Sequence, residues 1–243
     1  MAAAGSSAPD DDPTTEGSLV DQVITSVKAH IRANGLEPGD LLPSESALAL
    51  QIGVSRAVVR EAFRSMAALK LINIGNGRRA RVSAIDPSVL AIVLDHAFHT
   101  DQISIQQIYD VRRTIELRTV ALAAMRRTDA EASEIMRLAA AMRSDFLAAE
   151  QVMQHDIAFH EAIGRASCNP MFNLIVGSFH VITRQTWGIG WKSRASDGQR
   201  MASVECHEAI ARAIQARDHE AAQRLMAEHF DLSVKALLAA GIN

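Results

Sequence analysis

Apolar positions recur with the period of a helix along most of the chain. Leu19, Val20, Val23, Ile24, Val27 and Ile31 form one such run, opened by Ser18 with Asp21 three residues on and stopped by Gly35. LEPGDLLPSE is broken by Pro38, Gly39 and Pro43 and reads as a loop, after which Ser44 caps a short helix carrying Leu48 and Leu50. Gly53 ends that helix in a tight turn, and Ser55 caps a third whose apolar stripe is Val59, Ala62, Phe63 and Met66. Beyond Leu69 the period falls to two in LINIGNGRRARV, where Asn76-Gly77 is a hairpin signal between strands ending near Ile74 and Val82. Helix, Gly turn, helix and β-wing are therefore expected in that order.

AIDPS, residues 84–88, carries Pro87 and separates this unit from the C-terminal part of the chain. From Val89 the pattern predicts six or seven amphipathic helices and no strands, with breaks near Thr100, Thr128, Ser167 to Pro170, Gly188 to Gly198 and Arg217-Asp218. The expected organisation is a disordered acidic tail (1–17), a winged helix-turn-helix (18–84), a linker (85–88) and an all-α helical-bundle domain (89–240). The fold class is mainly α.

Composition agrees with that pattern: 48% of the 243 residues are hydrophobic but only 4% are aromatic. No apolar run approaches the roughly 18 residues of a membrane span, and the start lacks the basic and apolar regions of a signal peptide. A cytoplasmic protein without membrane partners is expected, in keeping with two cysteines, Cys168 and Cys206, read as ordinary helix residues. Net charge is −3, yet residues 18–84 hold nine Lys/Arg against five Asp/Glu, a net of +4. The positive charge of that segment alone favours a polyanion partner.

On the third helix Ser55, Arg56, Arg60 and Arg64 lie off the apolar stripe, so its outer face is basic from the N-terminus onward. Ser55 and the first amides suit phosphate, Arg56 a guanine edge in the major groove, and Arg60 either, one turn along. Arg78, Arg79 and Arg81, at or after the wing turn formed by Asn76 and Gly77, suit backbone or minor-groove contact. Each piece alone is also what a solvated helix face looks like; their order points to DNA. GLEPGDLLPSESALALQIGVSRAVVREAFRSMAALKLI followed by GNGRRARV resembles the winged helix-turn-helix of the GntR family of bacterial transcription regulators, through LPSE, GVSR, VVREA and the glycine wing. The resemblance implies that Ser55, Arg56 and Arg60 contact operator DNA and that Gly77 sits at the wing tip. Ser46 departs from it, standing where family members commonly carry arginine. A homodimer is implied, since two recognition helices must meet two half-sites about one helical turn apart.

HDIAFHEAIG, residues 155–164, poses a separate problem. As a helix it places Asp156, His160 and Ile163 on one face with Val152, so a carboxylate and an imidazole enter an apolar stripe and need compensation. His207, with Ile210 and Ile214, and His229, with Leu225 and Leu232, also point coreward on their own helices. One Asp and three His would form a mixed oxygen and nitrogen site for a divalent transition metal; pairing of Asp156 with His160, or with an arginine, would equally satisfy the first two.

Residues 89–240 resemble the FCD effector domain of the FadR-type branch of the same family, through YDVRRTIE, HDIAFHEAIGRASCNP, ECHEAI and MAEHF. The resemblance implies metal ligation by Asp156, His160, His207 and His229, with zinc first and nickel, manganese or iron as alternatives. It also implies an effector such as a carboxylate or sugar acid, paired with Arg112 or, failing that, Arg113. Asn169 and Trp187 are further pocket candidates, alongside simpler roles as a helix-opening turn and a core indole. His155 is assigned no role, and His180 is a candidate to support the ligands. The expected function is a ligand-responsive, DNA-binding transcription regulator, most often a repressor in this family, and not an enzyme. A metal-dependent hydrolase and a DNA-binding protein with a purely structural metal are the alternatives.

Overall fold

A computed structural model of the protein describes residues 18–75 and 79–241, which fall in two compact units, Met1–Ile85 and Asp86–Asn243. The expected acidic tail (1–17) and the wing-tip residues Asn76, Gly77 and Arg78 lie outside the described residues.

In the first unit α1 (Leu19–Ala33) opens on a complete capping box, Ser18 with Asp21, and buries Val23 and Val27. Helix α2 (Glu45–Ile52) is capped by Ser44 and closed by Gly53 at φ +81°, a left-handed turn that suits glycine. Leu48 is buried, whereas Leu50 faces solvent. Helix α3 (Arg56–Ala68) starts at Ser55, whose Oγ accepts the Val58 N–H, and buries the stripe Val59, Ala62, Phe63 and Met66. Strands β1 (Ile72–Asn73) and β2 (Arg81–Val82) pair antiparallel in the register Ile72 to Val82, and Leu41 bridges to Arg81. Arg79 donates to the Leu42 carbonyl and Arg81 to that of Gly39, tying the wing to the loop before α2. Val23, Val27, Leu42, Leu48, Val59, Phe63, Met66 and Ile72 make one apolar core.

The second unit is all-helical among the described residues: α4 (Ser88–His99), α5 (Ile105–Arg126), α6 (Asp129–Ser144), α7 (Ala149–Ala166), α8 (Pro170–Ser178), α9 (His180–Ser193), α10 (Asp197–Gln215) and α11 (His219–Ala239). Ser88, the last residue of the expected linker, thus opens α4. Eight helices replace the six or seven expected, because the chain also breaks at 145–148, without Gly or Pro, and at Phe179 between α8 and α9. Conversely, Gly188 and Gly190 lie inside α9, and the expected break there narrows to 194–196. Lys70, Asp101, Cys168 and Arg217 adopt positive φ just past the ends of α3, α4, α7 and α10, where glycine is the usual residue. At one end of the bundle two arginines cap reciprocally. Arg127 donates to the carbonyls of Ile214 and Gln215 closing α10, and Arg217 to those of Met125 and Arg127 closing α5. No helix of the described residues is long and apolar enough to cross a membrane.

Candidate metal centre and DNA-reading face

Helix α7 carries Asp156 and His160 four residues apart, hence on one face, and that face is buried along Val152, Asp156, Phe159 and Ile163. Helix α10 adds His207 and α11 adds His229; all four residues are at most 6% exposed. One nitrogen from each of His160, His207 and His229 can be chosen so that all three lie within 4.8 Å of one another. Nitrogens bound to one zinc at about 2.0–2.1 Å in a tetrahedron lie about 3.4 Å apart, so closure about an ion draws the rings together by up to about 1.4 Å. His229 reaches the cluster by a different stripe from the expected one. Ala222, Met226 and Phe230 are its buried companions, whereas Leu232 is 42% exposed.

Hydrogen bonding fixes which nitrogens are free. His160 Nδ1 contacts Glu116 Oε2, and the other Glu116 oxygen accepts from Arg112 Nε at 3.0 Å. His207 Nδ1 lies 2.8 Å from the Ser203 carbonyl, which can only accept, so Nδ1 carries a proton and Nε2 is the atom turned toward Asp156. Neither His160 Nε2 nor His207 Nε2 has a hydrogen-bond partner although both are fully enclosed. His207 Nε2 is nonetheless 2.8 Å from Asp156 Oδ1, an ion-pair distance without the angle of a hydrogen bond. A carboxylate oxygen this close to a ring nitrogen in a dry interior requires positive charge between or beside them. A backbone carbonyl and a carboxylate behind the coordinating rings is also how metal-binding histidines are held. The three-histidine set therefore fits a divalent transition metal, with Asp156 an acidic neighbour against His207 Nε2.

Charge in the cluster follows the same geometry. Burial disfavours ionised Asp156, but contact with His207, and then the charge of His160, outweigh it and hold the carboxyl far below its usual range. Burial likewise opposes ionised Glu116, and His160 and Arg112 reverse that effect. His160 is raised, since Glu116 and Asp156 overcome its desolvation, whereas burial and the neighbouring His207 and His160 push His229 well down. His229 is accordingly a neutral imidazole, ready to coordinate.

The cluster faces a cavity of about 40 Å³ whose walls include Tyr109, Arg112, Thr183, Trp187 and Arg194. Arg112 is buried among the rings of Tyr109, Phe179 and Phe230, with Nη1 donating to Thr183 Oγ1 at 3.0 Å; among the described residues Nη2 meets no acceptor. Trp187 stacks on Trp191 at 4.8 Å. Arg194, at the end of α9, donates to the Gly190 carbonyl and has its pKa lowered by burial despite nearby Asp156. Nothing in its sequence context marked it. Arg113 and Asn169 are not part of this wall. Arg113 is half-exposed and pairs with Asp231 at 3.2 Å, since successive helix residues point about 100° apart; Asn169 caps α8 through the Met171 N–H. His155 pairs with Asp145, and His180 Nδ1 meets the Gly177 carbonyl.

On α3 Arg56 is exposed and has no partner among the described residues, Arg60 pairs with Glu45 at 3.2 Å, and Arg64 lies 3.9 Å from Glu61. Ser55 Oγ is used as the helix cap.

Residues 19–82 match the family of bacterial regulatory proteins named gntR, and residues 107–232 match the FCD domain. The chain is a GntR-family transcription regulator. This regulator is 30% identical to the HTH-type transcriptional regulator LutR of Bacillus subtilis (strain 168) over 203 residues, 82% of this chain and 92% of the relative. It is 26% identical to the galactonate operon transcriptional repressor of Escherichia coli (strain K12) over 210 residues, 84% of this chain and 90% of the relative. A solved structure of Streptococcus agalactiae GntR shares the fold, with a TM-score of 0.61 and 24% identity over 87% of this chain and 97% of that one. GntR regulators bind operator DNA and are not enzymes, so the hydrolase alternative is set aside.

Proposed function

We propose that this GntR regulator is a homodimeric, cytoplasmic repressor whose FCD domain holds a divalent transition metal on Asp156, His160, His207 and His229 and releases or tightens its grip on DNA when a small carboxylate binds beside it. The observation that carries this reading is the pair of buried, unpartnered Nε2 atoms, one of them against the Asp156 carboxylate. When bound, the ion would supply a Lewis-acidic centre for an incoming carboxylate or hydroxyl oxygen, and zinc suits the nitrogen-rich set, with nickel, manganese and iron as alternatives. Arg112 would meet the remaining charge of the acid through Nη2, which has no acceptor among the described residues. The three histidines, Asp156 and Arg112 line one cavity, so an acid bound there would meet the metal and the guanidinium together. A relative named for a galactonate operon supports acids as the ligand class. Linkage between ligand and DNA of roughly 1–3 kcal/mol is sufficient for regulation. On the DNA side the proposal uses Ser55, Arg56, Arg60 and Arg64, and the wing residues Asn76, Gly77 and Arg78.

The test is metal analysis of purified protein followed by thermal unfolding of the metal-loaded form with glycolate, lactate, malate and gluconate. An acid at about 100 times its Kd stabilises by about 2.7 kcal/mol, which at about 2–4 °C per kcal/mol is a rise of about 5–11 °C. A shift that vanishes with chelator, and in Arg112→Ala, supports the reading. Absence of any stoichiometric metal, or metal binding that no acid responds to, overturns it.

A further inference from the structure

The DNA-binding unit contains an ion pair between two elements whose acidic partner the proposed function leaves unused. Glu45, the first residue of α2, lies against Arg60 of α3, and its Oε2 accepts from both Nε at 3.3 Å and Nη2 at 3.2 Å. The arginine side chain is 50% exposed and the glutamate 29%, so the pair faces solvent on the outer side of α3. The single oxygen takes both bonds, which leaves Oε1 of Glu45 and Nη1 of Arg60 uncommitted among the described residues. Its neighbours differ. Arg56 has no partner among the described residues, and Arg79 and Arg81 are spent on the Leu42 and Gly39 carbonyls.

We infer that Glu45 is a specificity-determining residue: Glu45 and Arg60 address DNA as one neutral unit, which withholds Arg60 from phosphate and commits it to a base pair. This rests on α3 being the helix that enters the major groove. An unpaired arginine grips any phosphate and strengthens binding to every sequence alike. A paired one brings no net charge, and its carboxylate repels phosphate, so the unit docks well only where a base edge offers both an acceptor and a donor. Guanine O6 and N7 accept from Arg60 Nη1 and from the outward N–H of Nη2, and cytosine N4 donates to Glu45 Oε1, so a C·G pair satisfies both. The two bonds to one oxygen also hold the guanidinium in a single pose, which favours bidentate reading over wandering contact.

The experiment uses full-length protein in two assays: selection from a randomised duplex library, and anisotropy titration of one fixed random-sequence duplex. The titration covers about 50 to 200 mM salt, where each phosphate contact contributes a log–log slope of about −0.9. Glu45→Gln is expected to bind the random duplex more tightly at low salt, with a slope steeper by about 0.9 per DNA-binding unit. Its advantage then shrinks about 3.5-fold across that fourfold salt range. In the selected sites Glu45→Gln and Arg60→Ala are expected to lose the C·G preference at the same position of each half-site, and the double variant to lose nothing more. Glu45→Asp, which keeps the charge but is too short to reach Arg60, is expected to lose that preference as well. A parental motif and a parental salt slope in Glu45→Gln overturn the inference. Arg56→Ala separates the two layers: parental DNA binding there defeats the placement of α3 in the groove, whereas its loss beside a silent Glu45→Gln defeats only the role of Glu45.

Discussion

Glu116→Gln is the most informative single substitution in the bundle. Glu116 is 2% exposed and bridges two donors, Arg112 Nε at 3.0 Å and His160 Nδ1. Glutamine keeps the volume but has one acceptor and one donor end, so either Arg112 or His160 must face an NH2 group. If the amide nitrogen faces His160, Nδ1 becomes an acceptor, the proton moves to Nε2, and the lone pair needed for a metal is lost. If it faces Arg112, a buried guanidinium loses its acceptor. Removing one partner of a buried ion pair costs about 3–5 kcal/mol. Taking the low end, because glutamine leaves one bond intact, about 3 kcal/mol at about 2–4 °C per kcal/mol lowers the melting temperature by about 6–12 °C. Zinc affinity should fall about 10- to 100-fold, the usual effect of removing a group that supports a ligand. Thermal unfolding in chelator gives the first quantity and competition with a fluorescent zinc indicator the second. A variant that melts within about 2 °C of the parent, well under the expected drop of about 6 °C, and binds zinc equally well would refute the Arg112–Glu116–His160 chain as the support of the site.

Phe159→Ala removes a side chain of 0% exposure packed against the His160 and His207 rings and should destabilise the bundle by about 3–5 kcal/mol, measured by denaturant unfolding. Arg113→Ala should cost under about 1 kcal/mol, because its pair with Asp231 is exposed, and leave any acid-induced melting shift intact; loss of the shift would place Arg113 in the pocket. Thiol titration should distinguish the cysteines. Burial, helped by Glu228, raises Cys206 to about 11, so at pH 8 only about one in a thousand of its thiols is ionised, and exposed Cys168 should react first. Cys168→Gly should raise stability by about 0.5–1 kcal/mol in chemical denaturation, since Cys168 holds φ +51° and a side chain there is strained.

How much of the fold and the site was readable in the chain depended on whether the signal was local. Caps and Gly turns around α1 to α3 are written in adjacent residues, and Asp156 with His160 needed only the helical period. His229 was expected to be buried for an inexact reason. Alanine and methionine at 222 and 226 say little about which way they face, so Leu225 and Leu232 drew the stripe instead. Arg112 and Arg113 are neighbours in sequence, and only packing against Phe179 and Phe230 decides between them. Arg194 sits beyond two glycines that read as a loop but are accommodated in α9, where Gly188 has open space around it and Gly190 packs against Leu237 and Ala236. The break between α6 and α7 lacks Gly and Pro, and Lys70, Asp101, Cys168 and Arg217 take a conformation that residue type does not announce. The Glu45–Arg60 pair joins positions 15 apart across a turn, beyond any periodic rule.

The crossed arginines at 127 and 217 turn α10 into a lever with a fixed fulcrum. His207 stands eight residues, about 12 Å, from the pinned Gln215 end, and Asp197 stands about 27 Å from it. For a stiff rod hinged there, a displacement of about 1 Å at the imidazole corresponds to about 2 Å at the far tip.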